Sequence, residues 1–151
     1  MAYLQRMVDG LLTELLESSG AVLIEGPKWC GKTTTATQQA ASILRLQNPD
    51  TREAYIATAK TKPSLLLKGE TPRLIDEWQI IPQLWDAVRV MVDDRNEMGQ
   101  FILTGSNSID NQDIMHSGTG RIARLRMQPM SLFETQESTG EISLKALFEN
   151  P

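Results

Sequence analysis

The strongest constraint on what this chain can become lies in residues 21–33. An apolar run, Ala21-Val22-Leu23-Ile24, leads into Gly26-Pro27-Lys28-Trp29-Cys30-Gly31-Lys32-Thr33, and a helix-compatible segment follows. The spacing is G-x-x-x-x-G-K-[ST], a phosphate-binding loop when it stands between a strand and a helix. Glycines let the backbone curl so that successive N–H groups point inward at an anion. The next helix turns its positive dipole end toward the same point. Lys32 can reach the β- and γ-phosphates of a nucleotide, and the Thr33 hydroxyl can coordinate Mg²⁺. Gly26, Pro27, Lys28, Trp29, Cys30, Gly31, Lys32, Thr33 and Thr34 are therefore the candidate nucleotide-binding residues. Trp29 is open to two readings, stacking on a base or partner and packing over the loop.

Bulk properties narrow the class. A length of 151 residues suits one domain with one core, here taken as 1–151. The chain is 40% hydrophobic and 23% charged, as in an ordinary globular protein. A net charge of −4 gives no global signal for nucleic acid. Cys30 is the only cysteine, so there is no internal disulfide, and one His with one Cys cannot supply a Cys/His zinc site. No apolar run approaches the roughly 20 residues of a membrane span. Arg6, Asp9 and Glu14 interrupt the apolar N-terminus, which does not read as a signal peptide. A cytoplasmic protein is the default expectation.

The hydrophobic periodicity predicts a helix over 3–18, with Leu4, Met7, Val8, Leu11, Leu12, Leu15 and Leu16 at helical spacing. Residues 21–25 are the first strand. Residues 31–47 read as a helix placing Ala36, Ala40, Ala41 and Leu44 on the sheet, stopped by Asn48-Pro49-Asp50. Residues 53–58 read as a short second strand, followed by a loop carrying Lys60, Lys62 and Lys68. Arg73-Leu74-Ile75-Asp76 is the third strand. A helix from Pro82 to about Asp94 buries Leu84, Trp85, Val88 and Val92. Residues 100–104 are the fourth strand, 108–117 a short helix, 121–127 the fifth strand, and 143–148 a short helix. Strands separated by helices predict parallel βαβ units, with the ligand at the carboxyl ends of the strands. Lys32, Asp76, Glu77, Thr104 and Asn107 all fall at that edge.

Leu74-Ile75-Asp76-Glu77 supplies the second element. Phosphoryl-transfer sites need a carboxylate to hold Mg²⁺, and Asp76 fits that role beside Thr33. Hydrolysis also needs a group to orient or deprotonate water, and Glu77 is placed for it. The competing reading is a helix cap or a surface carboxylate pair. Thr104 and Asn107 suit sensing of a γ-phosphate, or simply a polar turn. Arg121 suits an arginine finger acting on a neighbour's nucleotide, with Arg124 and Arg126 competing for the role. His116 reads as a surface residue. No G-x-G-x-x-G follows a strand, no Asn-Lys-x-Asp occurs, and there is no G-x-S-x-G elbow.

Four segments occur in a fixed order: Gly26 to Thr35, then Pro72-Arg73-Leu74-Ile75-Asp76-Glu77-Trp78-Gln79, then Phe101-Ile102-Leu103-Thr104-Gly105-Ser106, then Gly120-Arg121 with Arg126-Met127-Gln128-Pro129-Met130-Ser131-Leu132-Phe133-Glu134. Over about 15–148 the chain resembles the N-terminal ATPase domain of prokaryotic AAA-type proteins that carry a DUF4143 domain at their C-terminus. The resemblance implies a three-layer α/β P-loop NTPase fold of the AAA+ kind, with a five-stranded, mainly parallel sheet in the order 5-1-4-3-2. It implies ATP and Mg²⁺ as ligands. Gly26 to Thr33 match Walker A, Asp76 and Glu77 Walker B, Thr104 and Ser106 the sensor-1 region, and Arg121 the family arginine before the fifth strand. Such proteins continue into a winged-helix-like segment and a nuclease-like DUF4143 region, so a chain ending at 151 is expected to be part of that arrangement, without the C-terminal region.

The expectation is a domain that binds ATP-Mg and hydrolyses it, with Lys32, Glu77, Thr104 and Arg121 as catalytic candidates and Thr33 and Asp76 as metal ligands. The alternatives are a non-hydrolysing, nucleotide-dependent regulatory or DNA-associated switch, and a nucleotide or small-molecule kinase with Arg121, Arg124 and Arg126 as a lid. A homo-oligomer or a partner protein would complete the site.

Overall fold

The computed structural model describes residues 2–106 and 118–149. The predicted helix over 108–117, with Asn107 and His116, lies outside the described residues. The elements run α1 (Val8–Ser18), β1 (Ala21–Glu25), α2 (Lys32–Gln39), β2 (Ser42–Arg45), α3 (Pro49–Thr61), β3 (Arg73–Asp76), α4 (Gln83–Arg95), β4 (Phe101–Gly105), β5 (Ile122–Arg126) and α5 (Leu144–Glu149). Short 3₁₀ turns occupy Pro63–Leu65 and Trp78–Ile80.

The strands form one sheet in the order β2-β3-β4-β1-β5. Every neighbouring pair is parallel, with Ala21 opposite both Phe101 and Ile122. Read from the other edge this is 5-1-4-3-2, the order implied by the resemblance. Period-two alternation divides the core. Ala21, Leu23, Ile75, Phe101 and Leu103 meet Trp85, Val88 and Val92 of α4 and Ala59 of α3. Val22, Ile24, Leu74 and Ile102 meet Leu12 and Leu16 of α1 and Ala36 of α2 on the other face. Three layers result, and β1 is covered on both faces, as a parallel strand must be.

Three predicted elements differ. The helix over 31–47 ends at Gln39, and Ala40 is already extended (φ −82°, ψ 132°). Ala41 N donates to Pro72 O at 2.8 Å, and Ser42–Arg45 pairs with Arg73–Asp76. Leu44 follows Ala36 and Ala40 at helical spacing, but it also alternates with Ile43 across a strand. That coincidence hid β2. The strand expected over 53–58 is instead the middle of α3. Asn48, read as a stop, is its N-cap: the side chain accepts from Asp50 N at 3.0 Å, and Pro49 occupies the first turn. Lys60 belongs to the last turn of this helix. Finally, α1 begins at Val8 rather than at 3. Residues 2–6 are held off the helix because Arg6 bonds to acceptors elsewhere, including Cys30 O at 2.7 Å and Gln128 O at 2.9 Å. The strands over 21–25, 73–76, 100–104 and 121–127 and the helix from Pro82 agree with observation to within a residue or two. So does the short helix at the tail.

Candidate nucleotide site

The carboxyl edge of the sheet brings five predicted residues together, Lys32, Thr33, Asp76, Glu77 and Thr104. Gly26 follows β1 directly, and a Cβ built there would lie 2.4 Å from Met127 O and 2.9 Å from Cys30 Sγ. Only glycine lets the loop pass the end of β5. The loop then turns through left-handed conformations at Trp29 (φ 68°) and Gly31 (φ 94°) into the N-terminus of α2. Lys32 is buried and curls back over the loop, donating through Nζ to Gly26 O and Pro27 O, each at 2.9 Å.

Asp76, at the end of β3, is the convergence point. Thr33 Oγ1 donates to Asp76 Oδ1 at 2.6 Å, and Thr104 Oγ1 donates to the same oxygen at 2.8 Å. Thr104 Oγ1 also accepts from Glu77 N at 3.1 Å. One buried hydroxyl thus links the ends of β3 and β4. Glu77 leaves β3 in a left-handed conformation (φ 57°, ψ 54°), uncommon for a non-glycine residue and a sign of stored backbone strain. Trp78 fixes the turn beyond it, buried and tilted against Trp85 with ring centroids 4.8 Å apart.

Two clefts flank the phosphate loop. One, of about 460 Å³, is lined by Lys28, Trp29, Lys32, Thr33, Gln47 and Glu77 among others, and is cationic with a single carboxylate. The other, of about 340 Å³, is lined by Tyr3, Leu4, Cys30, Thr35, Gln38 and Met130 among others. Trp29, Gly31 and Thr34 border both. Trp29 is 98% exposed and so does not pack over the loop.

The donor set suits a hard cation. A hydroxyl and a carboxylate at Thr33 and Asp76 offer the oxygen ligands that Mg²⁺ takes from protein beside nucleotide phosphates. Among the described residues no group of three or more His, Cys, Asp or Glu side chains could hold a metal unaided. A metal here would therefore complete its shell from a phosphate and water.

Arg121 is not brought to this edge. Its carbonyl accepts from Ala21 N, at the opposite end of β1, about 13 Å of strand away by the rise per residue. Its guanidinium Nε lies 2.6 Å from Asp93 Oδ1. Arg124 pairs with Glu25, and of the three arginines only Arg126 ends β5 on the phosphate-loop side. The three do not gather into a lid.

Four contributors were missed in the sequence. Gln47 reaches the cleft because β2 precedes it, and misreading β2 as helix concealed it. Tyr3 and Arg6 arrive through the extended N-terminal segment. Gln79 bonds to Glu77 from two positions on. Only Gln79 carried a local signal, its place in the run Asp76 to Gln79.

A parallel sheet with β1 central, a glycine loop feeding a helix N-terminus, and hydroxyls converging on a carboxylate at the next strand define the P-loop class of nucleotide-binding α/β domains. The family model of the AAA domain matches residues 18–136. This chain belongs to that family. It is also similar to two mycobacterial proteins, "Uncharacterized protein Rv2008c" of Mycobacterium tuberculosis and "Uncharacterized protein Mb2031c" of Mycobacterium bovis, each 29% identical over 132 residues. The match covers 86% of this chain and 30% of each relative, so the chain spans under a third of their length. No helix among the described residues is long and apolar enough to cross a membrane.

Proposed function

We propose that this chain binds ATP with Mg²⁺ and hydrolyses it to ADP and phosphate, as the single motor or switch domain of a longer, DUF4143-bearing type of cytoplasmic protein. The observation that carries it is the shared acceptor, Asp76 Oδ1, at which Thr33 and Thr104 meet beside Lys32. Lys32 exchanges its loop carbonyls for phosphate oxygens. The loop amides and the α2 N-terminus hold the remaining phosphate charge. Thr33 and Asp76 would hold Mg²⁺, whose charge would offset that of the phosphates. Glu77 orients the attacking water, and Thr104 fixes Glu77 through its amide. The base occupies the cleft between Tyr3, Leu4, Gln38 and Met130.

Lys32→Ala should abolish nucleotide binding in a titration with a fluorescent ATP analogue, and retained affinity would remove the loop from the reading. Glu77→Gln should bind ATP and lose phosphate release. Hydrolysis at the wild-type rate would exclude Glu77 from the chemistry.

The position of Arg121, away from this chain's own phosphate loop, favours a second reading, a nucleotide-dependent regulatory or DNA-associated switch that does not hydrolyse. Any nucleotide that Arg121 met would belong to another subunit, and Arg121 would have to leave Asp93 to reach it. Phosphate release per protein that rises with protein concentration supports completion in trans by Arg121. Binding without turnover at any concentration supports a switch acting on a partner.

A further inference from the structure

Gln79 has no part in the scheme above, yet its Nε2 donates to Glu77 Oε2. We propose that Gln79 is a positioning residue for Glu77, holding one carboxylate oxygen so that the other meets water in the cleft that Glu77 lines. The proposal rests on Glu77 being the water-orienting group.

The carrier is rigid. Gln79 lies in the 3₁₀ turn closed by Ile80 N to Glu77 O and Ile81 N to Trp78 O, each 3.0 Å. Trp78 and Ile81, on either side of it, are each only 2% exposed. The carboxamide is also wedged. A Cβ on Gly105, at the end of β4, would lie 3.0 Å from Gln79 Oε1 and 2.9 Å from Trp78 Nε1. Both atoms are buried and have no hydrogen-bond partner among the described residues. Gly105 therefore leaves the space in which the carboxamide sits. The acceptor decides its orientation: the NH₂ group donates to a carboxyl oxygen, whereas a flip would set two acceptor oxygens against each other. Glu77 is thus held twice, from β4 by Thr104 through its amide and from its own turn by Gln79 through its carboxylate.

The test is steady-state hydrolysis by Gln79→Met, which keeps the length and removes the donor. It should lower kcat by about 10²-fold with KM and Tm unchanged, the scale expected when a reacting group is misplaced. In a Glu77→Gln background the same change should cause no further loss, because its effect runs through Glu77. A kcat within about twofold of wild type, beside an inactive Glu77→Gln, overturns the positioning role and leaves the hydrolytic reading standing. An undiminished Glu77→Gln overturns both. NMR gives a readout that needs no turnover. The Gln79 side-chain amide protons should move in Glu77→Ala, and a resonance indifferent to that change overturns the contact.

Discussion

Arg6 Nε lies 3.0 Å from Glu134 Oε1, joining the segment before α1 to the segment beyond β5 through side chains only 5% and 7% exposed. The same guanidinium donates to Cys30 O in the phosphate loop and to Gln128 O beyond β5. Arg6→Met would leave the buried Cys30 carbonyl and the partly buried Glu134 carboxylate and Gln128 carbonyl short of a donor. It should destabilise the fold by about 3 kcal/mol in urea denaturation, the scale for breaking a buried pair from one side. Adding Glu134→Gln should recover part of the loss, and a fully additive double variant would show that the two do not interact.

Glu134 also sets an acid limit. Hydrogen bonds from the Ser131 and Met7 backbones, with Arg6 and the Ser131 hydroxyl, lower its pKa from 4.5 to about 2 against the opposing effect of burial. Between those values the unfolded chain binds more protons than the folded one, so stability is lost as pH is lowered and regained as it rises. The Glu134 contribution should be complete above about pH 4.5 and fade toward about pH 2. Tm measured across that window should fall less steeply in Glu134→Gln than in wild type.

Thr104 serves Asp76 as donor and Glu77 as acceptor through one buried oxygen. Thr104→Val keeps the shape and removes both bonds. The expected cost is about 1–3 kcal/mol in stability, from the unpaired Glu77 amide and the depleted Asp76 shell. Phosphate release should fall as well, and Thr104→Ser should retain most of both properties.

Gly26→Ala would set a methyl group 2.4 Å from Met127 O. Overpacking at backbone predicts a loss of about 1–3 kcal/mol together with weakened nucleotide binding. Calorimetry with a binding titration checks both. Unchanged affinity would show that the loop can take up the methyl group without leaving its phosphate geometry.

Trp29 is 98% exposed, while Trp78 and Trp85 are 2% and 1% exposed. Acrylamide should quench Trp29 emission almost alone, so Trp29→Phe should abolish the quenchable component. Nucleotide should protect the wild-type signal if Trp29 borders the bound base.

The fold and the phosphate loop were legible in the sequence because their signals are local. Gly26 to Thr33 sits between a strand and a helix within a dozen residues, and Leu74 to Glu77 carries its own strand and carboxylates. The failures are where one local pattern serves two structures. Leu44 satisfies a helix and a strand equally, and Asn48-Pro49 can end one helix or begin the next. The reach of Arg6 to Glu134 depends on where the sheet places two distant segments, which no window of sequence contains. The location of Arg121 followed from parallel strands, since a residue before a strand must lie at the edge opposite the loop. The resemblance assigned it a role, but register assigned it a place.

The central position of β1 bears on how the chain comes to fold. Ala21 is among the first sheet residues synthesised, yet its partners Phe101 and Ile122 come from the far end of the sequence. At about 5–20 residues per second of synthesis, the strand bearing the phosphate loop waits on the order of several seconds for both neighbours. Its Ala-Val-Leu-Ile edge is exposed throughout that interval. The segment that defines the site is therefore also the nascent chain's longest-standing hazard for mispairing, and a natural point for chaperone capture.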